Sequence, residues 1–321
     1  MNMHAIVLAG GYATRLWPIT KDRPKMFLPM GDTTVIDQIF EDLENDDRVE
    51  DVYVSTNEAF ADEFRTYLAD SQYEKPQLSV EDTTQEDEKF GVVGALAQLI
   101  DREALTDDTL VIAGDNYMSF DVSEFVDEFQ EGRHPTVAAY DVGSPENATE
   151  YGVIETEDGY IVDFEEKPDT PASSLISIAC YGFPADTLEL FDVYLDGDNN
   201  PDEPGWFLQW LQAREQVRAF TFDGAWFDIG TAGSYLDAAA YELDGDTSIC
   251  PTAHVENSEI GDNVQIMDGA TVVDSELERA VVFPETTIRG SSIKNSLIDE
   301  ECTIEGVDLN GSIVGSYTDL R

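Results

Sequence analysis

The chain has 321 residues, and 68 acidic against 17 basic residues give it a formal net charge of −51 at pH 7. We expect no nucleic-acid partner for so acidic a chain, and because the acidic residues are spread along its whole length, a basic partner explains them poorly. Molar salt would screen this self-repulsion, so we expect a protein of the high-salt cytoplasm of a halophile. The sequence contains no run of about 18 apolar residues, so we expect no membrane-spanning segment.

With 42% hydrophobic residues, the chain can bury an ordinary core, and its length suggests two domains. An apolar run begins within the first residues, so we expect no signal peptide. The three cysteines, Cys180, Cys250 and Cys302, are odd in number and lack the spacing of a metal site. We therefore expect them to be reduced packing residues in a cytoplasmic protein.

Residues 1–243 alternate strand-like apolar runs with segments of helical periodicity. The expected elements are strands at 4–9, 51–55, 77–81 and 109–113, separated by helices that begin at Thr33 or Thr34, at 59 and at 92. This order predicts an α/β, Rossmann-like domain with a mostly parallel sheet and helices on both faces. Further strands with shorter links are expected at 137–142, 152–155, 161–164 and 176–183.

After Asp244, aliphatic residues recur every 16 or 17 positions in three columns. The columns are Ile249, Ile266, Val282, Ile298 and Val314; Val255, Val272, Ile288 and Ile304; and Ile260, Leu277, Ile293 and Leu309. Three inward positions per period describe a triangular coil. We therefore predict a left-handed parallel β-helix of about four turns over residues 248–321, following a first domain at 1–243.

Glycine and basic residues cluster directly after the opening strand. Gly10 and Gly11 form the turn, where backbone N–H groups can approach an anion. Arg15, Lys21 and Lys25 then fall, with Arg23, within eleven residues of a chain that has only 17 basic residues. The pattern is neither a P-loop nor a dinucleotide-binding fingerprint, yet it predicts binding of a polyphosphate.

The same stretch resembles the signature of the sugar nucleotidyltransferases, also called nucleotide-sugar pyrophosphorylases. The matching residues are Gly10, Gly11, Arg15, Leu16, Pro18, Pro24 and Lys25. Ala13 departs from the pattern, because the family often has another glycine there. The resemblance implies that a nucleotidyltransferase catalytic domain occupies residues 1–243, and a C-terminal β-helix is common in such enzymes.

Two aspartates are candidate metal ligands. Asp115 follows the strand at 109–113, on the edge of the sheet where ligands bind in open α/β folds, and Asp228 lies in a tryptophan-aspartate-glycine-threonine motif that ends at Thr231. The resemblance implies that both carboxylates hold Mg²⁺, which takes one or two carboxylates together with substrate phosphates. Thr231 could also serve as a helix N-cap without displacing Asp228.

The resemblance also implies where the substrates bind. Glu166, Lys167 and Asn116 would contact the sugar phosphate, with Glu166 on sugar hydroxyls and Lys167 on the phosphate. The nucleotide would contact Leu8, Ala9, Gly10, Gly11, Thr14, Arg15 and Gly91. The residue that reads the base stays open between Glu81 and Gln85.

The implied reaction is Mg²⁺-dependent nucleotidyl transfer from a nucleoside triphosphate to a hexose 1-phosphate, with release of pyrophosphate. Arg15, Lys25 and Lys167 would be the catalytic residues, since the chemistry needs positioning and charge neutralisation. Glucose 1-phosphate with dTTP or UTP is the expected substrate pair. The alternative is a mannose-1-phosphate guanylyltransferase, since Trp17 directly after Arg15 and Leu16 resembles the pattern of those enzymes. The base and the sugar stay open.

Two other functions remain as alternatives. One is a non-catalytic homologue that senses a nucleotide sugar. The other is a bifunctional enzyme whose β-helix acylates an amino sugar, for which His254 is the one histidine in that domain. We expect instead that the β-helix supports a homo-oligomer and that catalysis is confined to residues before about 244.

Overall fold

The computed structural model describes residues 2–81 and 91–321, and the elements expected from the sequence are present with small shifts at their ends. Before residue 230 the strands are β1 (Met3–Leu8), β2 (Pro29–Met30), β3 (Thr33–Thr34), β4 (Val49–Asn57), β5 (Pro76–Glu81), β6 (Asp108–Ala113), β7 (Asn116–Met118), β8 (Thr136–Asp141), β9 (Gly152–Glu157), β10 (Tyr160–Glu166), β11 (Leu175–Phe183), β12 (Arg218–Thr221) and β13 (Trp226–Asp228).

The helices that the structure describes are α1 (Val35–Asn45), α2 (Ala61–Asp70), α3 (Val92–Arg102), α4 (Val122–Gly132), α5 (Leu190–Asp196), α6 (Pro204–Gln212) and α7 (Ala232–Leu243). None of these helices combines the length and the apolar character needed to cross a lipid bilayer.

The chain divides into two compact units. The sheet unit comprises Met1–Gly10, Ile39–Gly114 and Ser119–Gly224, and the β-helix unit comprises Gly11–Gln38, Asp115–Met118 and Ala225–Arg321. Residues 11–25, which we term the signature segment, therefore belong to the same unit as the β-helix. The functional division at residue 243 stays a prediction.

The sheet unit is built on nine strands in the order β5-β4-β1-β6-β11-β8-β12-β10-β9. The first four are parallel neighbours, as the alternation of strands and helices predicts. Beyond β6 the sheet is mixed, because β11 runs antiparallel to both β6 and β8. Short connections such as the one between β9 and β10 permit antiparallel neighbours, whereas a parallel pair needs a long crossover.

Two strands end side by side at the edge where the predicted ligands bind. Leu8 is opposite Ala113 in the parallel pairing of β1 with β6, and the N–H of Gly114 donates to the carbonyl of Leu8 (2.9 Å). The buried residues of β1, including Ile6 and Val7, anchor it in the sheet. The sheet unit thus delivers the chain to Gly10 and Gly114 at the same edge.

The β-helix consists of short parallel strands stacked coil upon coil. They are β14 (Ser248–Ile249), β15 (His254–Glu256), β16 (Glu259–Ile260), β17 (Val264–Ile266), β18 (Thr271–Val273), β19 (Glu276–Val282), β20 (Thr287–Arg289), β21 (Ser292–Ile298), β22 (Thr303–Glu305), β23 (Leu309–Asn310), β24 (Ile313–Val314) and β25 (Asp319–Leu320). All thirteen predicted column positions pair in register with their neighbours in the next coil. The period of the sequence therefore predicts the stacking correctly.

One outer face of the β-helix is also apolar. Val281, Leu297 and Ile313 stack on one another, each one position before a residue of an inward column, so they point outward. Val281 and Leu297 are nonetheless buried, because they pack with Tyr235 of α7 and with Leu16 of the signature segment in one apolar cluster. This face joins the β-helix to the rest of its unit.

Candidate active site

A residue with left-handed backbone conformation follows the glycine turn in the signature segment. Ala13 has φ 47° and ψ 43°, a conformation that costs a residue with a Cβ about 1–2 kcal/mol. This is the position where the resembled family often has glycine, so the departure falls on the residue whose backbone would most favour one. The hydroxyl of Thr20 donates to the carbonyl of Ala13 (2.9 Å), and the N–H of Leu16 donates to the same carbonyl (2.9 Å). These two bonds hold the turn.

The two candidate metal ligands are neighbours in space. Strands β7 and β13 pair antiparallel with Asn116 opposite Asp228, which places Asp115 beside that pair. The N–H of Ile229 donates to the carbonyl of Asp115 (3.1 Å) and fixes the register. A short ladder of backbone bonds therefore joins two aspartates that lie more than a hundred residues apart in the sequence.

Two basic side chains of the signature segment meet these carboxylates. Lys25 forms an ion pair with Asp115, and the Lys25 side chain is 10% exposed. Arg15 reaches Gly230, where its Nη2 would lie 3.3 Å from an added Cβ, and its charge acts on Asp228. Burial and the charge of Asp115 raise the pKa of Asp228, while Lys25 and Arg15 oppose that rise. Two cations and two carboxylates thus converge on one place.

The donor set suits a divalent cation that is shared with phosphates. Asp115 and Asp228 supply hard oxygen ligands. Burial and, after it, the charge of Asp115 raise the pKa of Asp228, and a bound cation would offset that like-charge repulsion. Within residues 2–81 and 91–321, no group of three or more potential ligand side chains could form a metal cage of protein atoms alone. The pair fits Mg²⁺, which keeps several waters or substrate oxygens among its ligands.

Two successive hydrogen bonds link Trp226 to Asn116 and Asn116 to Asp115. The Nδ2 of Asn116 donates to Oδ1 of Asp115 (3.0 Å), and the indole N–H of Trp226 donates to Oδ1 of Asn116 (2.6 Å). Sequence reasoning missed this link, although each residue stands within two positions of one of the candidate ligands. Thr231 caps α7, where its side chain accepts from the N–H of Ser234 (3.1 Å), so the capping interpretation of Thr231 is correct.

The sheet unit holds the second predicted set, Glu166 and Lys167. Lys167 has a left-handed backbone (φ 47°), and its Nζ donates to Glu203 (2.5 Å). Gly152 and Gly205 make room for the buried carboxylate of Glu166, which an added Cβ on either glycine would meet. Glu203 has no signal in the sequence, because it comes close only through the packing of α6 on β10.

A raised pKa gives Glu166 a testable pH dependence. Burial and the neighbouring Glu203 raise the pKa of Glu166 to about 7 from the ordinary 4.5, although Lys167 opposes the rise. Between those pH values the folded protein holds a proton that the unfolded chain has lost, so the free energy of unfolding should fall as the pH rises.

We expect Glu166→Gln to remove this pH dependence. The free energy of unfolding of the variant, relative to that of the parent protein, should therefore rise by at most roughly 3 kcal/mol between pH 5 and pH 8. Denaturant unfolding at both pH values measures it. The matched control is Glu165→Gln, which changes an exposed neighbour on the same strand. The same difference in stability between Glu166→Gln and the parent protein at both pH values would refute the prediction.

The remaining predicted nucleotide contacts lie in the sheet unit. Gly91 has φ 75° and is the N-cap residue of α3, and an added Cβ would collide with the backbone of Pro201, so packing alone requires glycine there. Glu81 accepts a hydrogen bond from the hydroxyl of Ser55 (3.2 Å) and lies 3.7 Å from where a Cβ of Gly10 would be. Gln85 falls outside the described residues. Nucleotide binding by Leu8, Ala9, Gly10, Gly11, Thr14 and Gly91 stays a prediction.

The sheet unit is an α/β fold, and the other unit carries the signature segment, the paired aspartates and the β-helix. Comparisons with known proteins identify the family. Residues 4–245 match the nucleotidyl transferase family. This match covers more than half of the chain, so the protein belongs to the nucleotidyl transferase family.

Two relatives illustrate the range of the family. The chain is 30% identical over 234 residues to a protein assigned as a mannose-1-phosphate guanyltransferase from Sulfolobus acidocaldarius, covering 72% of this chain and 61% of that protein. It is 29% identical over 272 residues to the bifunctional protein GlmU of Methanocaldococcus jannaschii, covering 84% of this chain and 61% of that protein. The chain spans about three fifths of the length of both.

A solved structure agrees with the fold. The crystal structure of a protein assigned as a glucose-1-phosphate thymidylyltransferase from Bacillus anthracis, in complex with sucrose, superposes with a TM-score of 0.62 at 26% identity. The superposition covers 75% of this chain and 96% of that one. The α/β nucleotidyltransferase fold is therefore shared.

Proposed function

We propose that this protein transfers a nucleotidyl group from a nucleoside triphosphate to a hexose 1-phosphate and releases pyrophosphate. The observation that carries the proposal is the convergence of Asp115 and Asp228 with Lys25 and Arg15 in one unit. Membership of the nucleotidyl transferase family supports it. The reaction would take place in the cytoplasm on small-molecule substrates.

In the β-helix unit, the basic residues would bind the triphosphate. Arg15 would hold the pyrophosphate that leaves, and Lys25 would bind the α-phosphate or the pyrophosphate in place of its present partner Asp115. Asp115 and Asp228 would hold Mg²⁺, which when bound neutralises phosphate charge and orients the triphosphate. Local cations matter more than usual here, because the net charge of −51 repels any phosphorylated substrate.

In the sheet unit, Glu166 and Lys167 would bind the hexose 1-phosphate. The phosphate would replace Glu203 as the partner of Lys167, and the buried carboxyl of Glu166 would bond sugar hydroxyls. The left-handed backbone of Lys167 supports a functional role, since such conformations persist mainly where the surroundings or the function demand them. Asn116, by contrast, makes two bonds that orient Asp115, and its contact with the sugar phosphate stays a prediction.

Glucose 1-phosphate with dTTP or UTP is the first candidate pair, supported by the relation to the Bacillus anthracis structure. Mannose 1-phosphate with GTP is the second. The 49% exposed Trp17 in the signature segment and the relation to the Sulfolobus acidocaldarius protein favour it.

A coupled assay of pyrophosphate release tests the proposal. The protein is incubated with Mg²⁺ and every combination of five nucleoside triphosphates (ATP, CTP, GTP, UTP and dTTP) with several sugar 1-phosphates. We expect release that requires both substrates and is strongest for one pair. Binding of a nucleotide sugar without release from any pair would favour the non-catalytic alternative.

The distributed negative charge predicts stabilisation by salt. Raising KCl from about 0.2 M to about 2 M shortens the screening length several-fold, and we expect the melting temperature to rise by roughly 10 °C or more. Differential scanning calorimetry measures the shift, with sucrose at matched water activity as the uncharged control. A melting temperature that stays constant in KCl, or that rises equally in sucrose, would contradict the halophilic interpretation.

A further inference from the structure

Arg23 of the signature segment binds the β-helix instead of the aspartate pair. Its Nη1 lies 3.1 Å from Oδ1 of Asp299, and its Nη2 lies 3.2 Å from Oε2 of Glu300. The guanidinium also stacks near the ring of Phe283, with 4.9 Å between Cζ and the ring centroid. Both carboxylates and the ring belong to the β-helix, so three groups on its surface engage this one side chain.

The carboxylate that receives Arg23 is held in place. The side chain of Asp299 is 5% exposed, and its Oδ1 also accepts the N–H of Glu300 (2.9 Å). The backbone of Asp299 is bonded at both ends, donating to the carbonyl of Val314 (3.0 Å) and accepting from the hydroxyl of Thr286 (2.6 Å). A buried ion pair on such a support is screened less by salt than an exposed one.

Apolar contacts brace the same segment. Leu16 and Ile19, which lie between Arg15 and Arg23, pack in one cluster with Leu297 of the β-helix. The ring of Pro18 lies against Gly315, where a side chain would collide with it. The chain between Arg15 and Lys25 therefore contacts the β-helix at several points, both apolar and charged.

We propose that Asp299 and Glu300 are positioning residues for the triphosphate: by holding Arg23, they fix the place of Arg15 and Lys25. The β-helix is then part of the apparatus that binds the nucleotide, beyond any role in assembly. The inference rests on the proposed function only in the identity of the ligand. The alternative, that Arg23 itself binds phosphate, predicts the opposite response to loss of the two carboxylates.

The test compares two double variants of the full chain that remove the same charge. Asp299→Asn with Glu300→Gln frees Arg23, whereas Glu276→Gln with Glu278→Gln frees Lys294, which those two residues bind at 2.8 and 3.3 Å elsewhere on the β-helix. We expect the first variant to raise the KM for the triphosphate about tenfold or more, with the KM for the sugar phosphate within about twofold of the parent value. The second should change neither.

A measurement independent of turnover completes the test. Hydrogen exchange at the amides of Leu16, Trp17 and Ile19, which are bonded within the segment, should be about tenfold faster in the first variant than in the second. Arg23→Lys keeps one positive charge for the two carboxylates, so this variant should retain more of the triphosphate affinity of the parent protein than Arg23→Met does.

A triphosphate KM that is unchanged or improved in the Asp299→Asn, Glu300→Gln variant would overturn the inference, as would unchanged amide exchange. If the parent protein releases no pyrophosphate from any substrate pair, the proposed function fails. Amide exchange together with the affinity for a nucleoside triphosphate, measured by calorimetry, then decides the positioning role alone.

Discussion

Replacing Lys25 or Arg15 by alanine should lower kcat by about 100-fold or more, because under the proposed function each change would remove a cation that neutralises charge on the phosphates. Lys25 is 10% exposed and pairs with Asp115, so its loss would remove a cation from beside a candidate metal ligand. The change is measured as the rate of pyrophosphate release at saturating substrates.

Arg65→Ala is the matched control, since it also removes one positive charge but from an exposed pair with Asp62 on α2. It should leave kcat within about twofold of the parent value. Circular dichroism and the melting temperature establish that each variant is folded. Near-normal turnover in a folded Lys25→Ala or Arg15→Ala variant would remove the assigned role of that residue.

Asp115→Asn and Asp228→Asn should each abolish metal-dependent turnover, because each leaves a single carboxylate for the divalent cation. Asp228→Asn should do so without loss of stability. Burial and the charge of Asp115 raise the pKa of Asp228, so its charged form is disfavoured in the fold, and the isosteric amide carries no charge to bury or to repel Asp115. Loss of activity together with an equal or higher melting temperature distinguishes a ligand from a structural residue.

Asp32→Asn controls for the change of charge, since Asp32 is exposed in the same unit. Calorimetric titration of Mg²⁺ in the presence of the triphosphate gives a second readout, and the affinity should fall for both ligand variants but not for the control. A variant at Asp115 or Asp228 with normal activity and normal metal affinity would show that the ligand assignment is wrong.

The fold was predictable where the sequence has a period. The columns that contain Ile266, Leu277 and Ile288 follow from a repeat of 16 or 17 residues, and the structure pairs every predicted position in register. The outward residues Val281 and Leu297 follow the same period. They are buried against α7 and the signature segment, and no local sequence pattern predicts that contact. The sequence therefore predicted the β-helix, but not the packing of α7 and the signature segment on its outer face.

The candidate site was predictable where chemistry follows a strand. Asp115 stands at the end of β6, and the pairing of β7 with β13 brings Asp228 to it, as the two motifs suggested. Arg23 looked like a fourth phosphate ligand because only its charge and position were visible. Its carboxylate partner Asp299 lies 276 residues further along the chain, so tertiary contact alone assigns it to the β-helix.

The β-helix also bears on how the chain tolerates truncation. The sequence suggested that catalysis could survive without residues 248–321. In the structure, deleting them would strip Leu16 and Ile19 of the apolar face on which they pack and would leave Arg23 without its carboxylates. We therefore expect the loss of the β-helix to weaken triphosphate binding as well as assembly.

The most direct test of nucleotidyl transfer follows two phosphorus labels through one turnover. The protein is incubated with the best substrate pair and Mg²⁺, using a nucleoside triphosphate labelled on either the α- or the γ-phosphorus. We predict that the α-label appears in the nucleotide sugar and the γ-label in pyrophosphate, in equal amounts and only when the sugar phosphate is present. Release of the γ-label as inorganic phosphate, or an α-label that stays in free nucleotide, would contradict nucleotidyl transfer.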